Sequence, residues 1–218
     1  MQKSLFQKLI SEFIGSYFLV LTIVGSGIMG QNLSNGNLAI TLLANALATG
    51  AILYVLISMF INISGAYFNP VVLLSDLIQK KIELKIVLLF ILTHIIGAIL
   101  GCFTANWYFE YQIYELSTNN RFGIYTFFSE IVATFGLILT IILVGKQNKQ
   151  NLPIAVALFI TAGYWFTSST SFANPAVTIG RMFTNTFTGI DPGSILLFIL
   201  AQIIGSIIAT YLGKILIK

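Results

Sequence analysis

The sequence predicts an all-α membrane protein with six transmembrane helices plus two re-entrant half-helices, arranged as an inverted repeat. Three observations predict it. The chain of 218 residues is 57% hydrophobic and 8% charged, with a mean hydropathy of +0.93, whereas soluble domains carry roughly 25% charged residues. Six apolar stretches approach or exceed the length that a bilayer demands, about 20 residues. Two Asn-Pro pairs, at Asn69 and Asn174, stand 105 positions apart in similar surroundings.

The spans read as Leu5–Met29, Leu38–Ile61, Leu84–Ala105, Phe122–Val144, Leu152–Thr167 and Ile195–Ile217. Lys3 and Lys8 precede the first stretch as they would in a secretory signal. Glu12 interrupts it, however, and no small-residue cleavage site follows, so it is read as a spanning helix. The fifth span is marginal because its end runs into "TSSTS". Two further apolar stretches, "NPVVLLSDLI" and "NPAVTIGRMF", hold about ten residues each, the length of a re-entrant segment rather than a span.

Charge orients the chain. With an even number of spans and both termini on one side, that side receives all nine lysines, Lys218 among them, and the other receives only Arg121 and Arg181. Positive charge marks the cytoplasmic side. Both termini are therefore expected in the cytoplasm, with the chain multi-pass in the plasma (inner) membrane.

The halves resemble each other. "SEFIGSYFLVLTIV" from Ser11 parallels "SEIVATFGLILTII" from Ser129, and "THIIGAILG" from Thr93 parallels "AQIIGSIIA" from Ala201. The chain is expected to form a single membrane domain over 1–218, with a first repeat half in 1–110 and a second in 122–218. Three spans per half is odd, so the halves insert with opposite topology. That design puts a binding site near the midplane, at the repeat interface.

Asparagine is a favoured N-cap, and proline is well tolerated in a first helical turn. Each Asn-Pro pair thus reads as loop, cap and helix start. Two inverted half-helices would meet N-terminus to N-terminus, and their partial positive charges would oppose cations. The Asn69 and Asn174 amides can each cap a helix with the oxygen and turn NH₂ hydrogens to a pore. The loop backbones, Gly65, Ala66, Tyr67 and Phe68 on one side and Ser171, Phe172 and Ala173 on the other, would supply acceptors. Such a track suits small neutral solutes.

In these motifs ("SGAYFNPVV", "FANPAVT", the paired Glu12/Ser16 and Glu130/Thr134 patterns, "GAILG"/"GSIIA") the chain resembles the aquaporin and aquaglyceroporin superfamily over nearly its full length. The resemblance implies an aquaporin-like fold, a pore in each protomer, a homotetramer in the lipid bilayer, and Asn69 and Asn174 as central pore donors. Val71 departs from the usual Asn-Pro-Ala. Val177 departs further, since the family usually places an arginine there, in an outer selectivity filter. Family spacing puts the other filter positions at Thr49, Ser171, and Gly163 or Tyr164. The resulting filter is expected to be wide and without arginine. It would pass water, glycerol, urea and similar uncharged solutes. The "NPAVT" variant also resembles bacterial channels linked to arsenic resistance, which makes arsenous acid a candidate permeant.

Arg181 lies one helical turn after Val177. Pairing with Asp191, or with carbonyls near the outer surface, is the expectation for it over a substitute role in the filter. Its repeat counterpart Asp76 is expected to pair with Lys80 and Lys81. Glu12 and Glu130 lie inside spans, where acids are functional by default. The resemblance makes them supports for the re-entrant loops, with His94 and Gln202 as hydrogen-bonding partners. A proton- or ion-coupled secondary transporter using Glu12, Glu130 and His94 is the alternative. The net charge of +4 is small and dispersed, so nucleic acid is not an expected partner. The lone Cys102 excludes an internal disulfide and reads as a small buried side chain. No nucleophile–base pair, phosphate loop or metal-ligand spacing occurs, so neither enzyme activity nor a metal or cofactor is expected.

Overall fold

The computed structural model describes residues 3–217; Lys218 lies outside them. The elements are α1 (Leu5–Leu33), α2 (Leu38–Phe60), α3 (Pro70–Ile78), α4 (Leu84–Tyr108), α5 (Ile124–Gln147), α6 (Leu152–Phe166), α7 (Pro175–Gly180) and α8 (Pro192–Leu216). Short 3₁₀ turns at Lys149–Asn151 and Arg181–Phe183 precede α6 and follow α7.

Local chemistry explains the helix starts. Ser4 and Gln7 form a reciprocal capping box at α1, and the Asn37 side chain accepts from Ala39 and Ile40 N–H at α2. All four prolines of the chain stand in the first turn of a helix, in α3, α6, α7 and α8. There the missing N–H costs no helical bond.

Five helices (α1, α2, α4, α5 and α8) are long and apolar enough to cross a membrane. The remaining span, α6, has 15 residues, about 22 Å at 1.5 Å per residue. It stops where Thr167 turns to extended backbone, so the polar "TSSTS" run forms the descent into the second loop. The nine residues of α3 and the six of α7 would reach only about 14 and 9 Å, so both are half-helices.

The chain packs as α1 on α4, α5 on α8 and α2 on α6. Each half-helix docks against a span distant in sequence, α3 on α8 and α7 on α4. On α8, every fourth residue serves α3. Ser206 Oγ donates to the Val71 carbonyl at 2.8 Å, Thr210 Oγ1 bonds Ser75 Oγ at 2.8 Å, and Lys214 Nζ donates to the Ile78 carbonyl at 3.0 Å. Outward faces are apolar. On α4, Leu88, Leu92, Ile96 and Leu100 form an exposed stripe at helical spacing, a surface that suits lipid rather than water.

Close helix approach rests on Gly101 and Gly205. A Cβ at Gly101 would lie 2.3 Å from the Tyr17 carbonyl oxygen, and one at Gly205 would lie 2.4 Å from that of Ile131. Backbone cannot yield as a flexible side chain can, so Gly101→Val should destabilise the protein by at least the 1–3 kcal/mol or so typical of overpacking. Thermal unfolding in detergent checks this; an unchanged midpoint would mean that α1 and α4 sit farther apart.

Candidate functional site

The site is built from two loops that enter between the helices and end at the half-helices. Each loop takes left-handed backbone at non-glycine positions: Ala66 and Phe68 in the first, Thr170, Ser171 and Ala173 in the second. Such residues cost about 1–2 kcal/mol each, so their surroundings must hold them.

Two fully buried carboxylates do so. Glu12 Oε1 accepts from Tyr67 N–H at 3.1 Å and Oε2 from Phe68 N–H at 2.8 Å. His94 Nε2 stands 2.6 Å from Glu12 Oε2. Glu130 repeats the arrangement, accepting from Phe172 and Ala173 N–H at 2.8 and 2.9 Å. It also accepts from Ser169 Oγ at 2.6 Å and Gln202 Nε2 at 2.7 Å. Gln202 further reaches Thr178 Oγ1 at 3.0 Å.

The held loops bring Asn69 and Asn174 together. Each amide oxygen caps its own half-helix, Asn69 through Val71 N–H and Asn174 through Ala176 and Val177 N–H. Each amide nitrogen crosses to the other loop. Asn69 Nδ2 donates to the Ala173 carbonyl at 2.8 Å, and Asn174 Nδ2 to the Phe68 carbonyl at 2.9 Å. The Phe68 and Ala173 carbonyls, expected as acceptors for a solute, therefore hold the opposite asparagine. Each NH₂ carries two hydrogens, so one of each remains for a solute.

Both asparagines line a cavity of about 500 Å³. Gly65, Ala66, Tyr67, Phe68 and Phe172 also line it; Ala173, fully buried, does not. Leu19, Ile23, Leu137, Val156 and Ile160 supply apolar wall. Lys81, Lys146 and Lys149 stand among the lining residues, as do Thr49, Tyr164, Ser171, Val177 and Arg181. Glu12, Glu130, His94 and Gln202 are fully buried and off the cavity wall.

Three expectations change. Tyr164, not Gly163, lines the cavity, and its hydroxyl lies 3.1 Å from Thr49 Oγ1. Gly163 instead packs the loop, since a Cβ there would meet Ser171 Oγ at 2.6 Å. Second, Arg181 neither pairs with Asp191 nor faces the surface. It is 2% exposed. Its Nε donates to the Thr188 carbonyl, and its guanidinium lies 3.4 Å over the Phe172 ring. The wall expected to lack arginine thus contains one. Third, Asp76 pairs with Lys81 at 3.4 Å, while Lys80 is exposed. The sequence reading missed that the Tyr67 hydroxyl bonds Asp76 at 2.9 Å. Its only local signal was a hydroxyl-bearing ring two residues before Asn69.

Two half-helices capped by crossed asparagines on one narrow cavity make a polar path through an apolar bundle. The major intrinsic protein family model matches residues 1–167. The chain belongs to the major intrinsic protein family. It is similar to aquaglyceroporin AqpS of Rhizobium meliloti strain 1021, at 40% identity, with 97% of this chain and 91% of that protein covered. It is also similar to nodulin-26 of Glycine max, at 25% identity over 96% of this chain and 77% of the relative. The X-ray structure of the aquaglyceroporin from Plasmodium falciparum matches with a TM-score of 0.75, covering 95% of each chain. At 22% identity, that likeness shows the fold alone. This major intrinsic protein is a multi-pass membrane channel for water and small solutes, and not an enzyme.

Glu130→Gln tests the clamp. It replaces one carboxylate oxygen with an NH₂ that faces donors rather than acceptors. Charge-assisted hydrogen bonds contribute about 1.5–3 kcal/mol each, so the second loop should lose its position. Water flux per reconstituted molecule should fall at least tenfold; flux equal to wild type would show that the loop holds itself.

Proposed function

We propose that the chain is a passive channel whose permeants extend past water to uncharged hydroxylated solutes such as glycerol and urea, with arsenous acid as a further candidate. The observation that carries this reading is the pairing of Val177 with the Thr49–Tyr164 hydroxyl pair on one cavity wall. A small apolar side chain stands where an arginine would narrow the path, and threonine stands where a phenylalanine would. Pore selectivity follows diameter, lining hydrogen-bond groups and electrostatic barriers. The Rhizobium meliloti relative is an aquaglyceroporin by name, which supports the same solute class. Asn69 and Asn174 are the central donors of this reading, and Glu12, Glu130, His94 and Gln202 are loop supports. The fully buried acids lie away from the cavity wall, which argues against their coupling a proton to transport.

The reading includes a plasma-membrane location, cytoplasmic termini, two inverted repeat halves (1–110 and 122–218) and a homotetramer. The one-sided lysines support the orientation. Chemical cross-linking of the reconstituted protein should give a ladder that ends at four subunits; a ladder ending at two would refute the tetramer.

Stopped-flow light scattering on proteoliposomes tests the permeants. Glycerol influx should rise linearly with concentration and ignore pH and membrane potential, whereas saturable, gradient-driven uptake would overturn the channel. Val177→Arg should lower glycerol flux at least tenfold more than water flux, by narrowing the path. Thr49→Phe should act in the same direction by bulk alone. Unchanged glycerol-to-water ratios in both variants would remove Val177 and Thr49 from the constriction.

A further inference from the structure

Among the described residues, Arg181 is the one buried cation on the cavity wall, and no carboxylate forms an ion pair with it or with Arg121. A guanidinium has five N–H donors, and among the described residues only Nε finds an acceptor, the Thr188 carbonyl. The flat face rests on Phe172, 3.4 Å from the ring centroid. Arg121 approaches the same ring at 5.2 Å, tied to the Gly189 and Phe187 carbonyls. Stacking and one backbone bond fix the plane and leave the terminal amino groups without protein acceptors. Ser171 lines the same cavity; its own Oγ is buried against Gly163 and has no partner among the described residues.

Burying an unpaired cation is costly, and a fold that carries one at a pore wall has a use for it. Resting on the channel reading above, we propose that Arg181 is the specificity-determining cation of this pore. It supplies, one helical turn beyond Val177, the fixed charge that repels cations and the donors that meet a solute oxygen. Width and charge are thereby assigned to different residues. Val177 leaves room for solutes larger than water. Arg181 enters from the turn after α7 and raises the energy of any cation in a poorly screened passage, while uncharged solutes exchange hydrogen bonds with it.

Proteoliposomes assayed in parallel for water, glycerol and methylammonium test the assignment. Arg181→Gln should raise the methylammonium-to-water permeability ratio about tenfold or more, since a charge at close range in low dielectric contributes more than thermal energy. Arg181→Lys should stay tight. Ser171→Asp keeps Arg181 and its contacts but sets a carboxylate on the same wall, so it should leak as well. The double variant Val177→Arg/Arg181→Gln should be tight again with reduced glycerol flux, an outcome that a merely structural arginine would not give. If Arg181→Gln conducts no water, Ser171→Asp decides alone: a leak supports the assignment and tightness overturns it. Ratios within twofold of wild type in both water-conducting variants overturn it too. Failure of the channel reading looks different, because wild-type vesicles would then pass no glycerol above protein-free vesicles, and both ideas would fall.

Discussion

Everything at the pore depends on two buried carboxylates, each gripping two consecutive backbone N–H groups. Non-helical backbone survives at membrane depth only where protein or a water-filled path satisfies it. Here the loops before α3 and α7 also carry left-handed residues, at about 1–2 kcal/mol apiece. Charge-assisted bonds to Glu12 and Glu130 are of the same size, about 1.5–3 kcal/mol each, and two of them fall on left-handed residues, Phe68 and Ala173. Phe68 and Ala173 show the coupling most directly. Each has a left-handed backbone, gives its N–H to a glutamate and gives its carbonyl to the opposite asparagine. Remove the carboxylate and both the cap geometry and the crossed amide pair lose their anchor.

The two loops meet the same constraint with unequal means. Glu12 has three partners, with His94 third. Glu130 has four, because Ser169 and Gln202 both join, and Gln202 goes on to brace Thr178 in α7. The half-helix dockings differ as well. A row of three polar side chains on α8 holds α3. By contrast α7 lies on α4 through small residues, with the Ala98 backbone and Cβ about 3 Å from a Cβ built on Gly180. The second loop therefore sits in the denser network. It is also the loop that brings Ser171, Phe172 and Asn174 to the cavity, with Val177 and Arg181 following in α7 and its end turn. Selectivity needs groups held within about 0.5 Å, and the second loop carries the better-braced scaffold.

The reach of the sequence was set by the range of each signal. Periodic apolar length gave the spans, and Asn-Pro gave both half-helix starts, because these signals act over neighbouring residues. Glu12 and Glu130 were conspicuous because an acid inside a span has few uses. Gly163 and Tyr164 could not be separated that way. They are adjacent, the helix that carries them is short, and only the tight contact of Gly163 with Ser171 decides which one turns to the lumen. Arg181 was on the right face by spacing, four residues after Val177. What was not legible was its long-range cradle, since an arginine with a nearby Asp191 reads as an ion pair until the Phe172 ring and the Thr188 carbonyl are in place.

A conducting path must attract its solute without holding it, and here most of the wall's polar groups are already engaged. Thr49 and Tyr164 bond each other. The Phe68 and Ala173 carbonyls are occupied by the crossed amides. Among the side chains of the two loops, α7 and its end turn, a passing hydroxyl finds one hydrogen on each of Asn69 and Asn174 and the terminal amino groups of Arg181. Such groups are few, so a solute exchanges water for only one or two protein bonds at a time. Coupled transport needs an element with two arrangements that the solute can bias. The clamping glutamates have three and four partners, and the crossed asparagines tie each loop to the other, which favours a single arrangement. The rigidity that makes the left-handed loops possible is thus also what makes this molecule a channel.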